Sequence, residues 1–94
     1  MKRFTYCIKD ENGMHARPAG MLANYAKRFH SVIRVSANGK EADGKRLLSL
    51  MSLGATKGTE LTFFIDGDDE ESAALALEQF CADGMNGSTS TSKE

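Results

Sequence analysis

Residues 13–20 read GMHARPAG. His15, one of two histidines, stands two residues before Arg17 and three before Pro18, the only proline in the chain. Proline is tolerated in the first turn of a helix because its missing N–H would have no partner there. Pro18 therefore marks a helix start, with His15 at its mouth. A helix N-terminus offers backbone N–H groups without acceptors and the positive end of the dipole, and together these bind phosphate. Arg17 adds a guanidinium that can grip two phosphate oxygens at once. A neutral imidazole carries a nucleophilic lone pair. The set suits a transient phosphohistidine, with the adduct held among N–H donors and an arginine. The residues alone leave a plainer role open, because a histidine near a helix start can be a cap or an ordinary surface side chain.

Other chemistries find less support. His15 and His30 flank one predicted helix and neither has a partner at metal-ligand spacing, so no metal is expected. No P-loop and no Ser/His/Asp arrangement occurs. Asp68, Asp69, Glu70 and Glu71 read as helix capping: Asp68 as N-cap, Glu71 as its capping-box partner, and the rest as charge that suits the dipole. No cofactor is implied.

Periodicity supplies the elements that must position this site. Phe4, Tyr6 and Ile8 alternate with Arg3, Thr5 and Cys7, a strand with one buried face. Lys9 to Gly13 is turn chemistry. Leu22, Tyr25, Ala26 and Phe29 form one apolar stripe and predict a helix from about residue 16 to about 28. Val32–Ala37 runs into Asn38-Gly39, a strong hairpin signal, with a return strand over 40–43. Residues 46–53, RLLSLMSL, predict a short helix closed by Gly54. One inward stripe cannot hold Leu47, Leu48, Leu50, Met51 and Leu53 together. Unless a neighbouring element covers them, some form an outward interaction surface. Leu61, Phe63 and Ile65 mark a fourth strand. Ala73, Ala74, Leu77, Phe80 and Cys81 line a last helix stopped by Gly84. Residues 86–94 are small and polar and predict a disordered tail. The order β-α-β-β-α-β-α over residues 1–85 is an α+β domain, an antiparallel or mixed sheet with helices on one face.

Composition sets the outer bounds. The 94 residues suit one domain with a modest core. A net charge of -1 argues against a dedicated nucleic-acid binder. The N-terminal residues lack the apolar run of a signal peptide, and no stretch is long enough to insert in a membrane. Cys7 and Cys81 form no CxxC and predict two small buried thiols in a reducing, cytoplasmic setting.

GMHARPA, set in this order of elements, resembles the HPr family, the histidine-containing phosphocarriers of the bacterial phosphoenolpyruvate:sugar phosphotransferase system. The resemblance runs from about residue 2 to 83. It includes NGK at 38–40, MSLG at 51–54, KG at 57–58 and GDDEESAALALE at the last helix. It implies an open-faced sandwich, a four-stranded antiparallel sheet covered on one face by three helices. It further implies that His15 takes a phosphoryl group on Nδ1 from phospho-enzyme I and passes it to IIA domains of sugar permeases. The protein would be a monomeric, stoichiometric carrier without turnover of its own. Arg17 matches the arginine that supports transfer, and the backbone N–H groups of Ala16 and Arg17 would hold the phosphate. Leu47, Leu48 and Met51 match the docking surface for partners. Gly20 and Met21 would extend it, and Lys27, Lys45 and Arg46 would give it a cationic rim.

One departure matters. Many members from Gram-positive bacteria carry a regulatory serine at position 46, and here the residue is Arg46. Arginine accepts no phosphoryl ester, so regulation by a kinase at this position should be absent. Ser49 and Ser52 on the same helix read as surface or packing residues. The loss leaves room for a paralogue in another phosphorelay, such as a nitrogen-related one. It also leaves room for a docking module in which phosphorylation is incidental, although the presence of both His15 and Arg17 argues against that.

Overall fold

A computed structural model of the chain describes residues 1–84. Seven elements follow in order: β1 (Lys2–Cys7), α1 (Ala16–Ala26), β2 (Val32–Ala37), β3 (Lys40–Asp43), α2 (Leu47–Met51), β4 (Glu60–Asp66) and α3 (Glu70–Ala82). The last residue of the expected domain and the expected tail over 86–94 lie outside the described residues.

The strands form one antiparallel sheet in the order β1-β4-β2-β3. β4 is central and carries the sheet core: Phe63 faces Phe4 on one side and Val35 on the other. Phe4 stacks on Phe63 with ring centroids 4.5 Å apart. Period-two alternation sends Leu61, Phe63, Ile65, Ile33 and Val35 to the helix side, all buried. Arg3, Thr5, Arg34 and Glu41 stay on the open face. The result is an open-faced sandwich. Asn38 and Gly39 both take positive φ, 53° and 77°, which closes the β2–β3 hairpin with the twist that flanking strands require.

The helices bury one stripe each. Leu22, Ala23 and Ala26 of α1 and Ala73, Leu77 and Phe80 of α3 lie in the core. Tyr25 stacks on Phe80 at 4.8 Å and joins the two helices. Fully burying a side chain the size of Leu or Phe contributes roughly 1.5–3 kcal/mol, so these few contacts dominate the docking of both helices.

Three expectations need correction. α1 stops at Ala26 rather than near 28, and the chain tightens there, with the Arg28 and Phe29 amides donating to the Tyr25 and Ala26 carbonyls. Cys7 is exposed, on the open face beside Arg3 and Thr5; only Cys81 is buried, and burial pushes its thiol up to about 12. The N-cap of α3 is Asp69, not Asp68. Its carboxylate makes no cap bond but takes the Ser31 hydroxyl and the His30 and Ser31 amides, which pins the start of β2 to α3. Glu70, not Glu71, reaches back and accepts the Gly67 amide at 3.1 Å.

Candidate functional site

The approach to α1 is held from below by the loop after α2. The Ile8 amide donates to the Thr59 carbonyl at 2.9 Å, and the Gly58 amide donates to the Ile8 carbonyl at 2.8 Å. Beyond β1, Asp10 Oδ1 accepts the Asn12 amide at 2.8 Å, a side-chain-closed turn. The Gly13 amide then donates to the Asp10 carbonyl at 3.0 Å. Gly13 has φ +68°, and a Cβ there would run into the Ala55 carbonyl oxygen and lie 2.8 Å from Thr56 Cα. Only glycine fits both demands. The Met14 amide donates to the same Ala55 carbonyl at 2.9 Å, with the Met14 side chain buried. The Lys57 ammonium meets Glu11 at 3.2 Å and bridges the two loops at the surface.

His15 is the N-cap of α1, with extended backbone at φ -90° and ψ -175°. Its amide donates to the Gly13 carbonyl and its carbonyl accepts from Ala19, each at 3.0 Å. Pro18 lies in the first turn and has no N–H. The Ala16 and Arg17 amides remain there without a helical acceptor. The His15 ring makes no cap bond and is half-buried. Its Nε2 lies 3.5 Å from Asp10 Oδ2. Asp10 is held below the usual carboxylate range, first by the Asn12 amide and then by His15 and Arg17. Arg17 is exposed, while Pro18 and Ala19 behind it are buried and fix the turn to the core. The arrangement presents an imidazole paired through Nε2 with Asp10, N–H donors without a helical acceptor and a guanidinium at one helix end. An anionic group bonded to the ring would meet donors already in place.

The remaining predicted residues divide. Gly20 lies under Leu47, whose Cδ1 would be 3.9 Å from a Cβ at that position, so α2 crosses α1 at Gly20. Met21 is half-buried against the core. Leu47, Leu48 and Met51 are 38%, 78% and 37% exposed, whereas Leu50 and Leu53 are buried. The apolar excess of α2 therefore faces solvent in part, beside α1. Arg46 is the N-cap of α2, exposed, with Nε 3.9 Å from Asp43. Lys27 is exposed at the far end of α1. Lys45 is half-buried and its ammonium donates to the Phe29 carbonyl at 2.7 Å, so it closes the end of α1 rather than standing free.

Asp10 does not stand out as a site residue in the sequence. Part of its signal is there, since an Asp two residues before Asn12 in a turn commonly accepts the backbone N–H. The pattern does not show that the second carboxylate oxygen then reaches His15.

Comparison with known proteins decides the family. Residues 2–83 match the family model of the PTS HPr component phosphorylation site. The chain belongs to the HPr family. It is 39% identical over 83 residues to the phosphocarrier protein HPr of Mycoplasma capricolum subsp. capricolum, covering 88% of this chain and 93% of that protein. It is 44% identical over 78 residues to HPr of Mycoplasma genitalium, covering 82% and 89%. A solved structure of the histidine-containing phosphocarrier protein of Mycoplasma superposes with a TM-score of 0.85 at 36% identity, covering 90% of this chain and 97% of that one. The HPr match spans the whole N-terminus of α1 and all four strands, so fold and family agree. Among the described residues, no helix is long and apolar enough to cross a membrane.

Proposed function

We propose that His15 is a phosphoryl acceptor and donor: it takes a phosphoryl group on Nδ1 from phospho-enzyme I and delivers it to IIA domains of sugar permeases. The observation that carries this reading is His15 as N-cap of α1 with its ring uncommitted to the cap, beside the amides of Ala16 and Arg17. The Nδ1 lone pair attacks phosphorus and the N–P bond forms. The donor's bond to phosphorus breaks and its electron pair leaves with the donor. Transfer onward reverses these roles. Helix N-terminus and Arg17 stabilise the charged phosphoryl oxygens in both directions, as a relay requires.

The protein acts in this reading as a cytoplasmic, monomeric, stoichiometric carrier with no turnover of its own. Leu47, Leu48 and Met51, with Gly20 and Met21 beside them, form the apolar centre of the docking face. Lys27 and Arg46, both exposed, give it positive charge toward acidic partners, while Lys45 is taken up by the Phe29 carbonyl. Arg46 offers no hydroxyl, so the serine-kinase switch of other HPr proteins is lost here.

Intact-mass spectrometry after incubation with enzyme I and phosphoenolpyruvate tests the reading. One acid-labile phosphoryl adduct is expected on the wild type and none on His15→Ala. An adduct that survives the substitution overturns it.

A further inference from the structure

Asp10 lies outside the GMHARPAG motif, yet it reaches the reacting side chain. Its Oδ1 is fixed by the Asn12 amide at 2.8 Å, and its Oδ2 lies 3.5 Å from His15 Nε2. A carboxylate only accepts hydrogen bonds, whereas a neutral imidazole carries its one proton on either nitrogen. An acceptor facing Nε2 favours the form with the proton there, and this leaves the lone pair on Nδ1. We propose that Asp10 is a positioning residue that sets the tautomer of His15 and so selects Nδ1 as the nucleophile. The proposal deepens the reading of His15 as phosphoryl acceptor and rests on it.

The pairing also matters after transfer. When the Nδ1 lone pair bonds to phosphorus and the donor keeps the electron pair of the broken bond, no proton moves. The ring becomes positively charged with Nε2–H still facing Asp10. A carboxylate there offsets the charge and takes a stronger, charge-assisted bond. Arg17 is the cation that acts on the same carboxylate. Hydrogen bonds of this kind are often long in a resting site and tighten once charge develops.

Nitrogen-15 NMR of the whole chain, at a pH where His15 is neutral, reads the tautomer directly. The Nε2–H form is expected to dominate in the wild type. Asp10→Asn keeps an oxygen for the Asn12 amide but turns an NH2 group toward His15 Nε2, which then serves better as acceptor. The tautomer ratio should move toward Nδ1–H by about two- to fivefold, the scale of an exposed charged pair. The rate of phosphoryl uptake should fall in parallel. Asp10→Ala offers His15 neither donor nor acceptor and should lie between. A wild-type ratio in both variants overturns the proposal. Failure of the underlying reading shows separately, as phosphoryl uptake that survives His15→Ala.

Discussion

Met14 and Ala55 are joined by a hydrogen bond from the Met14 amide to the Ala55 carbonyl at 2.9 Å, which clamps the loop before α1 onto the loop after α2. The clamp acts one residue from His15, whose own amide is held by Gly13. The histidine backbone is thereby fixed by residues about forty positions away in sequence, while its ring makes no bond to the helix cap. The proposed relay role needs this division, because the ring would enter partner sites while the N–H donors behind it stay in place.

Gly13→Ala tests the clamp. The new Cβ would meet the Ala55 carbonyl and Thr56 Cα at a positive φ that alanine resists. Strain and overpacking together should cost about 2–4 kcal/mol of stability. Denaturant unfolding gives the value. A loss under about 0.5 kcal/mol would show that the two loops separate without consequence.

Arg17→Ala separates chemistry from folding. The side chain is exposed and its charge sits at the unfavourable end of the helix dipole, so stability should hold or rise slightly. Loss of charge-assisted bonds to the phosphoryl group should slow transfer from enzyme I by about 10- to 100-fold. Rapid-quench transfer assays beside thermal melts make the comparison. Equal losses in both would place Arg17 in the fold rather than in the relay.

The strands, the hairpin and the start of α1 are legible in the sequence because each rests on local pattern. Phe4, Tyr6 and Ile8 show period two, Asn38-Gly39 fixes a turn, and Pro18 marks α1. Long-range competition is not legible. Asp69 is the N-cap of α3, yet Ser31 and His30, nearly forty residues earlier, draw its carboxylate away from the cap. Lys45 looks like a free surface cation in sequence, but the shortened end of α1 leaves the Phe29 carbonyl open for it. Residue type alone misleads for Cys7, although its place in the alternation of β1 puts it on the open face with Arg3 and Thr5. Of the site, His15 and Arg17 are visible as a motif. Asp10 is not, because only the folded turn aims its second oxygen.

The Asp69 junction sets a pH dependence. The Ser31 hydroxyl, then the His30 and Ser31 amides, lower its pKa from 3.8 to about 2. The unfolded chain therefore binds the proton first as pH falls. The stabilisation is whole above the ordinary value of 3.8 and is lost as pH falls through about 2. Thermal midpoints taken across this range should drop more steeply in the wild type than in Asp69→Asn. Parallel profiles would mean that these bonds do not distinguish the charged carboxylate.

Two leucines of α2 should behave in opposite ways. Leu48 is 78% exposed and Leu50 is fully buried. Leu50→Ala should cost about 2–5 kcal/mol in an unfolding titration. Leu48→Ala should change stability by less than about 0.5 kcal/mol, yet raise the KM for enzyme I. An unchanged KM with Leu48→Ala would remove that side chain from the docking face.

Arg46→Ser should stabilise the protein. Arg46 holds the N-cap of α2 with extended backbone, φ -124° and ψ 120°, but has no acceptor for the free amides of the first turn. Its positive charge also opposes the helix dipole. A serine hydroxyl at an N-cap contributes about 0.5–2 kcal/mol over a residue that cannot cap. The substitution also removes the surface ion pair between Arg46 Nε and Asp43, 3.9 Å apart, which offsets little of this gain. A melting temperature higher by about 4 °C is the expected result for a domain of this size. A lower one would mean that Arg46 anchors α2 through Asp43 more strongly than its exposure allows, and that the cost of arginine at this helix start has been removed by the surrounding sequence.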